Sequence, residues 1–108
     1  MTNDELVEGT LSDVGKLPGA RLFWGPRPPA PPYFVYESRP VSFFADSTAY
    51  AELPRYRVRL YQDEYDEAVL RRFQDALAVL GTFVRHADEI DEGLFITTYD
   101  LNLVRGKK

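Results

Sequence analysis

Eight residues near the middle of the chain alternate without a break: in RYRVRLYQ (55–62), Tyr56, Val58 and Leu60 alternate with Arg55, Arg57, Arg59 and Tyr61. Successive side chains of a strand point to opposite faces, so this stretch buries one face and offers the other. Directly after it the period changes. Asp63 is placed to cap a helix, and Glu64, Asp66 and Glu67 fall in its electropositive first turn. Tyr65, Val69, Phe73, Ala76, Leu77 and Leu80 then recur at helical spacing as far as Gly81. A half-buried strand running straight into an amphipathic helix of about 64–80 requires a sheet with that helix laid on one face.

The flanking segments extend this unit. Leu6, Val7, Leu11 and Val14 make a helical stripe over Asn3 to Val14, with Asn3 or Asp4 as cap and Gly15 and Pro18 as the stop. Arg21 to Trp24 reads as a brief strand. PRPPAPP (26–32) holds five prolines in seven residues and is expected to be an extended, polyproline-like connector. Tyr33 to Glu37 reads as a strand that Val41 to Phe44 resumes beyond Pro40, and 45–54 as a loop. Thr82 to His86 reads as a short strand, Asp88 to Glu92 as an acidic turn, and Leu94 to Val104 as a long last strand. The basic tail RGKK (105–108) is expected to fray. This order lacks the regular strand-helix alternation of a parallel doubly wound sheet. The expected fold is therefore α+β: one domain spanning 1–108, a mostly antiparallel sheet, and an N-terminal and a central helix packed on one face.

Composition narrows what such a domain does. With 44% hydrophobic and 14% aromatic residues among 108, the chain can build a core and is not a disordered segment. Thirteen Lys and Arg against seventeen Asp and Glu leave a net charge of −4, the wrong sign for holding nucleic acid by phosphate neutralisation. There is no cysteine, which removes disulfides, thiolate catalysis and sulfur-ligated zinc. The acidic opening MTNDELVEGTLSDVG is unlike a secretory signal, and no segment is apolar enough to read as a membrane span.

Candidate chemistry is sparse. His86 is the sole histidine, and no serine lies in a nucleophile elbow. The acidic groups 63–67 and 88–92 do not follow the EF-hand spacing and read as a helix start and a turn. No catalytic, cofactor or metal site is expected. The proline segment contains P-x-x-P, yet Arg27 lies in neither register that orients such a ligand, so a stiff connector fits better. Two features remain that suit a partner: the cationic strand face of Arg55, Arg57 and Arg59, and the loop VSFFADSTAY (41–50), whose Phe43, Phe44, Asp46 and Tyr50 offer aromatic area beside a carboxylate.

Read in order, the chain presents PPY (31–33), V-Y (35–36), F-A-D (44–46), Tyr50, Y-x-V-x-L-Y (56–61) before an acidic helix, and L-F-x-x-x-Y (94–99). Over about residues 17–103 it resembles the tail completion, or tail terminator, proteins of long-tailed bacteriophages. The resemblance implies a small α+β protein that forms a ring, hexameric in that family, on the end of the tail tube. There it stops tube growth and docks to the head connector, without catalysis or cofactor. Its place would be the head-proximal end of the virion tail, reached by assembly in the host cytoplasm. Its partners would be copies of itself, the tail tube protein and the connector, with no specific nucleic acid and no membrane. The alternative reading is a cytoplasmic adaptor using the proline-rich segment, and a third is a small enzyme using Asp46 or His86.

Overall fold

The computed structural model describes residues 3–22, 24, 29–39 and 55–103. Its elements run α1 (Asn3–Gly15), β1 (Gly19–Arg21), β2 (Tyr33–Arg39), β3 (Arg55–Gln62), α2 (Glu67–Leu80), β4 (Gly81–Arg85), β5 (Glu89–Asp91) and β6 (Leu94–Leu103). One sheet joins all six strands in the order β1-β2-β3-β6-β4, with β5 also on β6. Every pairing is antiparallel except β1 with β2. The fold is thus α+β, with both helices contributing to a single core against one sheet face.

That face follows from the alternation in each strand. Phe34 and Tyr36 of β2, Tyr56, Val58 and Leu60 of β3, and Tyr99, Leu101 and Leu103 of β6 are buried with Val7 and Leu11 of α1 and Leu70, Phe73, Ala76, Leu77 and Leu80 of α2. The buried stripe of α1 is Val7, Leu11 and Gly15, while the expected Leu6 and Val14 are exposed. Gly15 stays helical, and Lys16 takes the left-handed conformation instead, at φ 61°. What Gly15 provides is proximity: a Cβ there would lie 3.3 Å from the Phe73 ring, and its carbonyl accepts a hydrogen bond from Arg72 Nε at 3.1 Å. α1 is also tied to the sheet from outside, since Tyr36 donates to Glu8 at 2.6 Å and Tyr56 donates to Asp4 at 2.5 Å.

Several elements differ from the sequence reading; β2 runs on to Arg39 rather than ending at Glu37, and β4 is Gly81–Arg85 rather than 82–86. α2 starts at Glu67 rather than 64, because Asp66 is the cap whose side chain accepts from the Ala68 amide at 2.9 Å. Asp63 and Glu64 sit in the bend before it, and Tyr65 is exposed outside the helix. The brief strand is Gly19–Arg21 rather than 21–24, set by pairing with Phe34 to Tyr36. The acidic stretch expected as a turn contributes β5, paired through Asp91 with Leu94, and the turn contracts to Glu92 and Gly93, both at positive φ. In the proline segment, 29–32 form no regular element and the Pro31–Pro32 bond is cis. The continuation at 41–44, the aromatic loop with Phe43, Phe44, Asp46 and Tyr50, and the tail 105–108 lie outside the described residues.

Candidate functional site

The second sheet face carries no helix among the described residues. Its side chains stand in cross-strand rows: Tyr33, Tyr61, Ile96; Val35, Arg59, Thr98; and Glu37, Arg57, Asp100 from β2 through β3 to β6, then Arg55 and Asn102 between β3 and β6. The rows grade from aromatic at one end to charged at the other.

At the aromatic end Tyr33 and Tyr61 stack with ring centroids 5.0 Å apart, and Trp24 meets Tyr33 edge-on at 6.0 Å. Offset and edge-to-face geometries are those the ring quadrupoles favour. Burial, and then the neighbouring Tyr61, raise the Tyr33 phenol above its usual range. The Trp24 indole nitrogen is buried without a hydrogen-bond partner among the described residues.

The charged end is organised by one carboxylate. Arg57 donates to both oxygens of Asp100, from Nε at 2.9 Å and from Nη2 at 3.3 Å. His86, placed beside Asp100 by its own backbone bond to the Thr98 carbonyl, brings Nε2 to 2.8 Å from the same carboxylate. The hydrogen bonds from Arg57 are the main reason the Asp100 carboxyl lies below its usual range, and the contact with His86 adds to them against the opposing effect of burial. Beside this group a cavity of about 220 Å³ is lined by Arg57, Arg59, His86, Ala87, Glu89 and Thr98.

The three sequence-predicted arginines therefore share one face but not one role. Arg57 is committed within the chain to Asp100. Arg59 is half-buried and lines the cavity, and Arg55 is exposed, neither having an ion pair among the described residues. Sequence reasoning missed Asp100, Trp24 and Tyr33 as parts of this face. The parity of 96, 98, 100 and 102 in the last strand put them opposite Tyr99 and Leu101, but not in register with any particular arginine. Compared with known proteins, the chain matches no protein family and no curated sequence.

Proposed function

We propose that the chain is a subunit of an oligomeric ring that caps the tail tube of a long-tailed bacteriophage, ends its growth and joins the tail to the head connector. The observation that carries this reading is the sheet face opposite the helices, where Tyr33, Val35 and Ile96 are buried while Tyr61, Arg57 and Arg59 keep part of their surface and Arg55 is exposed. It combines a stacked aromatic end with a charged end, the mixture that protein interfaces use for anchoring and for orientation. Further support comes from where the resembling motifs fall. V-Y, Y-x-V-x-L-Y and L-F-x-x-x-Y lie on β2, β3 and β6, three adjacent strands, so the pieces quoted from the sequence form one continuous stretch of sheet. The reading calls for partners rather than chemistry: copies of the chain, the tube protein and the connector, with no reaction and no cofactor. The virion tail is the place it assigns to the protein.

The test is to add the purified protein to uncapped tail tubes and to polymerising tube protein. Rings visible by electron microscopy at one tube end, together with an arrest of elongation, are the expected result. Tubes that stay bare and keep lengthening at saturating protein overturn the reading.

A further inference from the structure

Among the described residues the sheet ends at β4, which pairs with β6 on one side alone. In an antiparallel pair, successive residues turn their main-chain groups alternately toward the partner strand and away from it. His86 fixes the phase here, since its N–H donates to the Thr98 carbonyl at 2.9 Å. Thr82, Val84 and His86 therefore turn their main-chain groups toward β6, and Gly81, Phe83 and Arg85 turn theirs outward. The Gly81 N–H is bonded to the Leu77 carbonyl as the cap of α2. The N–H and C=O of both Phe83 and Arg85 are left without a main-chain partner among the described residues. Sheet edges of this kind are normally guarded by proline, lysine, a bulge or brevity. Beyond His86 this edge is guarded: His86 stands opposite Thr98 and Glu89 opposite Ile96, so Ala87 and Asp88 stand together against Thr97, and acidic Glu89 and Asp91 follow. At the far edge β1 is three residues long and runs into Leu22 at φ 70°. Over β4 itself the pairing is continuous and holds neither proline nor lysine, and Val84, opposite Asp100, is 58% exposed.

We propose that β4 pairs with β4 of a second copy of the chain, antiparallel and centred on Val84. The strand is self-complementary in that register. Phe83 of each copy lies opposite Arg85 of the other, so the outward N–H and C=O of both residues are all used and no donor meets a donor. The two Val84 side chains meet in a non-hydrogen-bonded pair, where Cα atoms are about 4.5 Å apart and side chains lie closest. Centring on Phe83 instead would set Arg85 against Gly81, whose N–H is already bonded, and Val84 against Thr82. Arg85 has its own counter-ion, Asp88 at 3.0 Å, so bringing two copies together adds no bare like charge. The contact is two-fold and closes with two copies, unlike the head-to-tail contact of a ring. It is the association of the free protein and does not rest on the tail-cap reading.

Because the chain has no cysteine, single substitutions test the register. A disulfide requires Cα atoms about 4.4–6.8 Å apart, which the Val84 pair satisfies. Val84→Cys, Thr82→Cys and Ile90→Cys are oxidised mildly at the same concentration. Thr82 lies opposite His86 of the other copy rather than opposite itself, and Ile90, 70% exposed, reports random collision. Val84→Cys should give covalent dimers several-fold above the other two, and equal yields from all three overturn the contact. Light scattering of the unmodified chain should show a concentration-dependent dimer. Val84→Lys, which puts two like charges on the two-fold axis, should weaken that dimer several-fold, and Ile90→Lys, with the same change of charge, should leave it intact. An unmodified chain that stays monomeric at every concentration, or a Val84→Lys chain that associates as tightly as its parent, overturns the proposal.

Discussion

Gly19 and Phe34 share one small space: a Cβ on Gly19 would sit 2.0 Å from the Phe34 ring, which is itself wholly buried. Gly19→Ala must push that ring into a full core and should cost about 1–3 kcal/mol, read as a lower urea midpoint with an unchanged slope. Gly9 in α1 is the contrast, since a Cβ there meets nothing within 4 Å. Gly9→Ala should stabilise the protein by about 0.5–1 kcal/mol through helix propensity alone. Asp100 sets a pH dependence. Its folded pKa is depressed, chiefly by Arg57, so it contributes stability fully above the ordinary carboxylate value of about 4 and loses it as the pH falls through the folded value. Asp100→Asn should therefore lower stability at neutral pH and flatten the acid limb between about pH 5 and 2, as measured by urea titrations across that range. Tyr36 and Tyr56 act at the other extreme. Burial first, and then the carboxylates of Glu8 and Asp4, hold both phenols well above their usual range, so their contribution is complete below about pH 10 and fades above it.

The start of α2 illustrates how a local signal can be right in kind and displaced in position. Three acidic residues precede Glu67 within four places, and Asp63 reads as the cap; it is Asp66 that has extended backbone angles and an oxygen on the Ala68 amide. Asp66→Ala should lower stability by about 1 kcal/mol, whereas Asp63→Ala should change it by a few tenths. Equal losses from the two substitutions would place the cap elsewhere. The helix is held by its buried face more than by its cap. Phe73 is fully enclosed, touching Phe34 and Tyr99 at centroid separations of 5.4 and 5.8 Å. Phe73→Ala should cost about 3–5 kcal/mol, enough to unfold a domain of ordinary stability.

Considered as an assembly part, the protein is acidic, and its most central arginine is neutralised by Asp100. In the ring proposed above, subunits of net charge −4 would repel phosphate, so a duplex should slide through without sticking. Filter binding at low salt should show no retention of duplex DNA by the free protein or by tubes it has capped, compared with bare tubes. Salt-sensitive retention would show that the exposed arginines dominate the field.

Much of this architecture was legible from neighbours a few places apart. The limits of β3, the presence of both helices, the stop at Gly81 and the α+β class all rest on period and on helix-ending chemistry, which act within one or two turns of chain. Which face of β3 is buried was legible for the same reason. Register was not. Arg57 meets Asp100 across 43 residues and Tyr56 meets Asp4 across 52, and nothing near either arginine or tyrosine in the sequence selects those partners. Gly15 reads as a helix stop, yet its use is close approach to Phe73, as that of Gly19 is to Phe34. The strand in the acidic stretch 89–91 likewise exists because β6 is there to pair with it. Local sequence sets what each segment prefers through short-range sterics and hydrogen bonding. Pairing partners, shared carboxylates and tolerated volumes are set only when distant segments compete for the same space.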